Sequence, residues 1–219
     1  MLTDQIFQTH LPSLKPHDKV FLALQLMNDF DLQHLPILID NKYEGLINKD
    51  DLLDADEESL IQEMGLRFFK GSVKTGEHYT LAIKLAADHQ LSLVPVIDAQ
   101  GVLQGCITAN DLVLATSKFL QLSEPGGLVV LRMERKDYSF GEINRLVETN
   151  DVQITQLNST FEPETGMLLV SLKLNKSEIS DVVSTFQRFE YEIKYYIGDE
   201  HFENELKENF DNLMSYLKV

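Results

Sequence analysis

The sequence predicts an α+β protein of two domains: a duplicated β-α-β-β-α domain, then a ferredoxin-like βαββαβ domain with a C-terminal helix. Two observations support this prediction. Residues 13–36 recur as residues 72–95 without a gap, and eight of the twenty-four positions are identical. From residue 128 onward, apolar strands and amphipathic helices alternate in the order βαββαβ. A chain of 219 residues is long enough to bury two hydrophobic cores.

Each copy of the repeat predicts the same elements. A short strand comes first, then a helix, a strand containing a proline, a turn, a second strand and a second helix. The proline, Pro36 or Pro95, predicts an edge strand or a strand beginning, because proline cannot donate to a sheet ladder. The second helix is expected to start at Asp50-Asp51 in the first copy and at Asn110-Asp111 in the second. We place the duplicated domain at residues 1–118, with copies at about 1–58 and 66–118.

A short motif closes each copy. GLINKDDLL at residues 45–53 aligns with GCITANDLV at residues 105–113. Thr108 and Asp111 have the S/T-x-x-D spacing of a capping box, which satisfies free N–H groups at a helix start. The same pair could instead serve a ligand, because a hydroxyl beside free N–H groups suits a phosphate and a carboxylate can accept two ribose O–H groups. The first copy has Asn48 where the second has Thr108.

Two tandem β-α-β-β-α units that carry these motifs resemble a pair of CBS domains. The resemblance implies a pseudo-twofold pair with clefts that commonly bind an adenosyl ligand such as AMP, ADP or ATP. It implies that the Thr of the motif meets a phosphate and that the Asp takes the ribose hydroxyls. Thr108 and Asp111 then form the better half-site, and Asn48 and Asp51 form a second one with a less usual residue. The adenine walls implied by the resemblance are Ser72, Val73, Val94 and Pro95 for one cleft, and Leu14, Leu35 and Pro36 for the other.

The charge of the chain limits its partners. The net charge is −16, and both halves are equally acidic, so binding to nucleic acid or to an anionic membrane surface is disfavoured. Few cations lie near the motifs, whereas the run DDLLDADEE at residues 50–58 is strongly acidic. A polyphosphate near that run would need Mg²⁺ to offset the repulsion. Residues 1–10 lack the features of a signal peptide and no stretch is long enough to span a membrane, which predicts a cytoplasmic protein.

The second domain follows a linker at residues 119–127 that contains Pro125-Gly126-Gly127. A βαββαβ unit after a CBS pair looks like an ACT domain, and the combination resembles the bacterial acetoin-utilisation type of CBS regulatory protein. ACT domains often bind an amino acid at a D-x-x-G loop after their first strand. Here Asp137 occupies the loop, but the glycine is Gly141, one position late. The alternative is a domain that only dimerises. A last helix is expected within residues 199–219.

No catalytic motif is visible. The chain lacks a P-loop, a dinucleotide-binding glycine motif and a zinc-binding histidine pattern, and the one cysteine, Cys106, lies in an apolar strand and is expected to be buried. His34 is expected to be a structural histidine with satisfied hydrogen bonds. The sequence therefore favours a non-enzymatic sensor that binds an adenosyl ligand, works as a homodimer and acts on a regulated protein. The alternatives are a structural dimerisation module without a ligand and an enzyme with an unfamiliar site.

Overall fold

A computed structural model describes residues 1–65 and 67–198 of the chain. Two compact units are present, Met1–Gln121 and a second unit that begins at Leu122. Both combine helices and strands, so the predicted α+β class is confirmed. The helix predicted within residues 199–219 lies outside the described residues.

The first unit contains both copies of the repeat. The first copy consists of α1 (Val20–Asp29), β1 (His34–Ile39) and β2 (Lys42–Asn48). The second consists of β3 (Val73–Lys74), α2 (Thr80–His89), β4 (Leu93–Ile97), β5 (Leu103–Thr108) and α3 (Ala109–Phe119). The sheets are β1-β2 and β3-β4-β5, and Leu14 bridges Ile37 in parallel, as Val73 pairs with Val96. Buried residues of both copies form one continuous core.

Pro95 lies inside a central strand, which corrects the expectation of an edge or a strand beginning for the second copy. Pro36 lies in β1 of the two-stranded sheet and is therefore in an edge strand, as expected. Pro95 is the third residue of β4, which lies between β3 and β5. Its cross-strand partner Cys106 directs both backbone groups away from β4, because they bond to Gln8 at 2.8 and 3.0 Å. On the other side, β3 begins only opposite Val96. The missing N–H of Pro95 therefore lies where the ladder requires no donor.

The first copy lacks the second helix that was predicted to start at Asp50-Asp51. A single 3₁₀ turn, Lys49–Leu52, stands in the place of the 11-residue helix α3. Asp54, Asp56, Glu57 and Glu58 follow this turn, so like charges would be stacked at helical spacing. The corresponding part of α3 carries apolar residues, of which Leu112 and Ala115 are buried. The first copy has Leu52, which is completely buried, and Ala55 at the equivalent positions, so the repulsion among the acidic side chains, and not a missing apolar residue, distinguishes it.

The second unit has the predicted βαββαβ order. Its elements are β6 (Leu128–Met133), α4 (Phe140–Glu148), β7 (Ile154–Phe161), β8 (Leu168–Leu174), α5 (Ser180–Arg188) and β9 (Glu192–Ile197). The strands form one antiparallel sheet in the order β7-β8-β6-β9. Alternate residues of β8 are buried, and Ile143, Leu146 and Phe186 of the two helices belong to the same core.

Candidate functional site

A chain segment runs alongside the motif strand of each copy. Gln8 forms a two-bond backbone bridge with Cys106 of β5, and Phe69 forms the same bridge with Leu46 of β2, at 2.8 and 3.1 Å. The motif glycines permit this approach: a Cβ on Gly105 would lie 2.5 Å from the Gln8 carbonyl oxygen, and a Cβ on Gly45 would lie 2.5 Å from the Phe68 Cβ. The two copies are therefore closed by equivalent segments with different side chains.

Thr108 and Asp111 form a complete capping box at the start of α3. The Thr108 hydroxyl accepts from the Asp111 N–H at 3.1 Å, while the Asp111 carboxylate accepts the Thr108 N–H at 2.9 Å and its O–H at 2.6 Å. The Gln8 carboxamide adds bonds of 2.7 and 2.8 Å to the two carboxylate oxygens. Asp111 also borders a cavity of about 410 Å³ beside α3, to which none of the four wall residues predicted in this copy contributes. The structure therefore brings Thr108 and Asp111 together, but their side-chain oxygen atoms already form hydrogen bonds within the protein.

Asn48 and Asp51 have different surroundings. The Asn48 side chain accepts from the Asp50 N–H at 3.1 Å, two residues on, and makes no capping box. Within the described residues, no hydrogen bond or ion pair engages the Asp51 carboxylate. Both residues line a cavity of about 240 Å³. Its other lining residues are His34, Leu46, Arg67, Phe69, His89 and Leu91.

His34 supplies a fixed donor to this cavity. The backbone N–H of Ser92 donates to its Nδ1 at 3.2 Å, so the neutral ring carries its proton on Nε2. Burial lowers the pKa of His34, and the nearby Asp50 and Asp51 carboxylates partly oppose this effect. His34 is 8% exposed and hydrogen-bonded, as expected for a structural histidine, yet it also borders the cavity. The rings of His89 and Phe69, whose centroids are 4.5 Å apart, form a second part of the lining.

The predicted adenine walls belong largely to the core. Leu14, Leu35 and Val94 are completely buried, and Val73 is 5% exposed. Pro36 and Pro95 are also buried, whereas Ser72 is half-buried. The buried side chains face other protein atoms, so a ligand could meet these residues only through backbone atoms or after a rearrangement. Cys106 is buried as expected, and burial raises its pKa to about 12, far from a reactive thiol.

The second unit has a cavity at the loop that follows its first strand. Asp137 of this loop borders a cavity of about 620 Å³, together with Arg132 and four glutamates. Arg132 is engaged by Glu162 at 3.1 Å and by Glu192 at 3.0 Å, so it is not free to hold a ligand carboxylate. Gly141 lies within α4 and not in the loop. The surroundings of Asp137 are therefore dominated by carboxylates, an unfavourable setting for an anion.

Three residues of the first-unit sites were not predicted from the sequence: Gln8, Arg67 and His89. Gln8 and Arg67 precede their respective repeats, outside the aligned 24-residue segments. The one shared feature of these flanking segments is a phenylalanine, Phe7 or Phe68, which is too weak a signal to align them.

The two repeats share one core and end in the motifs GLINKDDLL and GCITANDLV, an arrangement similar to a CBS domain pair, although the first copy lacks the second helix. The family profile described as the CBS domain matches residues 4–58, so this part of the chain is similar to a CBS domain. A crystal structure of a CBS domain pair/ACT domain protein from Thermotoga maritima superposes with a TM-score of 0.51 at 23% identity, covering 55% of this chain and 99% of that one. This similarity supports the fold.

Two further similar proteins support fewer conclusions about this chain. A protein assigned to acetoin utilization, AcuB from Vibrio cholerae, is 26% identical with a TM-score of 0.49, covering 57% of this chain and 96% of that one. Inosine-5'-monophosphate dehydrogenase from Korarchaeum cryptofilum is 28% identical over 121 residues, which are 54% of this chain but 25% of that enzyme. The chain thus spans about a quarter of this curated relative, and the match gives no ground for assigning dehydrogenase activity.

Two further findings apply to residues 1–65 and 67–198, the part of the chain that the structure describes. No helix there is long and apolar enough to cross a membrane. No group of three or more His, Cys, Asp or Glu side chains is arranged there to hold a metal ion.

Proposed function

We propose that the chain is a non-enzymatic regulatory module that binds an adenine nucleotide at the Asn48–Asp51 cavity and works as a homodimer. The observation that carries the proposal is the carboxylate of Asp51, which has no partner among the described residues and shares the lining of one cavity with Arg67. A nucleotide presents both complementary groups, a ribose diol and a phosphate. The sensor role and the regulated protein partner rest on the resemblance to CBS regulatory proteins.

The lining of the cavity matches the parts of a nucleotide. A carboxylate accepts hydrogen bonds only, so Asp51 suits the two ribose O–H groups. Arg67 presents a planar set of donors that fits phosphate oxygens, and the Nε2–H of His34 adds a neutral donor. The Phe69 and His89 rings offer aromatic surface to the base or the sugar. In this assignment, Asn48 donates its amide to the phosphate where the second copy has a threonine.

The size and charge of the site favour a monophosphate. A cavity of about 240 Å³ lies below the ~300–1,000 Å³ of pockets that enclose a drug-sized ligand. Additional phosphates would extend toward solvent, beside an acidic run that includes Asp50, Asp54 and Glu57. ADP or ATP would bring more negative charge to this region and would need Mg²⁺ as a counterion. We therefore expect AMP to bind more tightly than ATP.

Exposed apolar side chains support the homodimer. Phe21 on α1 is 53% exposed, and Val113 and Leu114 on α3 are 65% and 53% exposed. Exposed apolar side chains of this size are costly in water and are commonly covered by a second protomer. A ligand in the cavity could then act by favouring one arrangement of the protomers over another, provided that it binds the two arrangements with different affinities.

A purely structural dimerisation module is the second candidate. The observation that favours it is the Thr108–Asp111 pair, whose polar atoms bond within the chain. If the Asn48–Asp51 cavity also stayed empty of nucleotide, the unit would serve only to pair protomers.

Thermal unfolding of the full chain, followed by calorimetry, tests the proposal. AMP, ADP and ATP are added in turn, and a ligand at 100 times its Kd stabilises the folded state by about 2.7 kcal/mol. For a chain of this size the Tm would rise by several degrees. We expect Asp51→Asn to abolish the shift and Asp54→Asn, a matched charge change in the same segment that does not line the cavity, to retain it. A shift retained in Asp51→Asn contradicts the site, and no shift with any nucleotide favours the dimerisation module.

A further inference from the structure

The side chain of Gln8 is positioned to occupy the motif site of the second copy. Its Nε2 lies 2.7 Å from Oδ1 and 2.8 Å from Oδ2 of Asp111. One carboxamide nitrogen thus lies within hydrogen-bond distance of both oxygens of one carboxylate and shares an N–H between them. The two O–H groups of a vicinal diol would donate to these same two acceptors.

Gln8 and Thr108 engage both oxygens of the Asp111 carboxylate. Thr108 donates to Oδ2 through its N–H at 2.9 Å and its O–H at 2.6 Å, and the Gln8 carboxamide contacts both Oδ1 and Oδ2. Among the described residues Gln8 is the one side chain that contacts Oδ1, so it covers both acceptors that a diol would need. A diol ligand could therefore bind Asp111 only by displacing Gln8.

The backbone holds Gln8 in this place. Its N–H donates to the Cys106 carbonyl at 2.8 Å, and the Cys106 N–H donates back to the Gln8 carbonyl at 3.0 Å. The close approach at Gly105 leaves no room for a side chain between the two segments. Movement of Gln8 away from Asp111 is thus coupled to a backbone pairing on β5.

The first copy provides an internal contrast. Phe69 makes the equivalent bridge to Leu46, at 2.8 and 3.1 Å, but its side chain has no donor to offer. Asp51 consequently keeps its acceptors open toward the 240 Å³ cavity. One residue in each flanking segment, glutamine or phenylalanine, distinguishes the closed site from the open one.

We propose that Gln8 is a built-in occupant of the Thr108–Asp111 site, which makes the N-terminal segment an autoinhibitory element. This inference rests on the proposed function, because it assumes that the ligand is a nucleotide with a free ribose diol. It implies that each chain binds one nucleotide, at the first copy, until the segment around Gln8 is released. Release opens the second site and removes a paired segment from β5 in the same event.

Two measurements on the full chain test the inference. The first is the number of AMP molecules bound per chain, by isothermal titration calorimetry. We expect one in the wild-type protein and two in Gln8→Ala. The second needs no ligand: hydrogen exchange at the Gln8 and Cys106 amides should become about tenfold faster or more in Gln8→Ala, because a charge-assisted hydrogen bond that holds the segment is lost. Gln5→Ala is the matched control, since Gln5 lies in the same segment and, among the described residues, its side chain bonds to the Leu2 N–H and not to Asp111.

The outcomes separate the two proposals. A second AMP site or faster exchange in Gln8→Ala, with neither change in Gln5→Ala, supports the built-in occupant. One AMP in both proteins together with unchanged exchange overturns it. If AMP binds to neither protein, the proposed function fails, and the exchange rates alone decide whether Gln8 holds the segment. Equal acceleration by Gln5→Ala would also overturn the inference, because the effect would then not depend on the contact with Asp111.

Discussion

The two copies of the repeat end in equivalent motifs with different surroundings. The aspartate of one motif, Asp111, is hydrogen-bonded to other residues of the protein, whereas the aspartate of the other, Asp51, faces a cavity. Asp111 accepts four hydrogen bonds from Thr108 and Gln8, whereas Asp51 accepts none from the described residues. The motif spacing is identical and the strands are alike. The difference arises partly from the motif, which has Thr108 where the first copy has Asn48. It arises also from the segment that runs alongside each strand, which carries Gln8 in one case and Phe69 in the other. A binding motif is thus available only if its neighbours leave its polar atoms free.

The same comparison extends to the elements after the motifs. Helix α3 follows Thr108 and buries Leu112 and Ala115, whereas a single 3₁₀ turn follows Asn48. The capping box of the second copy is therefore part of a helix, and that of the first copy is absent. We expect the two motif aspartates to have different roles, Asp111 in stability and Asp51 in binding.

The largest expected effect is on stability. Asp111→Ala should lower the free energy of unfolding by about 2–3 kcal/mol, because it removes a helix cap and charge-assisted hydrogen bonds. Asp51→Ala should change it by no more than about 0.5 kcal/mol, since that exposed carboxylate has no hydrogen-bond or ion-pair partner among residues 1–65 and 67–198. Chemical denaturation followed by circular dichroism measures both. Equal losses in the two variants would show that the copies do not differ as described.

A smaller effect concerns pH. Burial lowers the pKa of His34 below its usual value of 6.5, so the unfolded chain binds more protons than the folded one just below that pH. Stability should therefore fall as the pH drops from 7 through 6.5 toward the folded pKa. The second copy has the buried Leu93 at the corresponding position. His34→Leu should abolish the part of the pH dependence of stability that comes from this histidine.

Tm values measured between pH 7.5 and 5.5 test this prediction, with exposed His10→Leu as the control. The wild type and the control should lose stability in parallel over that range, and His34→Leu should show a flatter profile. A profile of His34→Leu that is as steep as that of the wild type would assign the pH dependence to other groups.

The smallest expected effect is a near-neutral substitution. Asn48→Thr restores the residue of the second copy, but we expect a stability change within about 0.5 kcal/mol and no new helix. The acidic run after Leu52, and not the cap, prevents the helix. Circular dichroism at 222 nm should be unchanged. A clear gain of helical signal would show instead that Asn48 is the cause of the short turn.

Several features could be read from the sequence because they depend on residues close together in the chain. The repeat, the order of strands and helices and the Thr108–Asp111 cap follow from local periodicity and from spacings of three residues. The same is true of the βαββαβ order of the second unit. The second helix of the first copy was predicted wrongly, since the alignment of the motifs gave more weight to Asp51 than to the charges that follow it.

Only the tertiary structure decided which residues far apart in the sequence come into contact. The sequence by itself determined the duplicated architecture and the positions of the two motifs that are candidates for binding. It did not determine that Gln8 would reach Asp111, 103 residues away, or that Arg67 would share a cavity with Asp51. It also did not reveal that Pro95 could lie within a central strand, which depends on where the short β3 begins. Such contacts join segments with no common local pattern, and only the packing of the sheets brings them together.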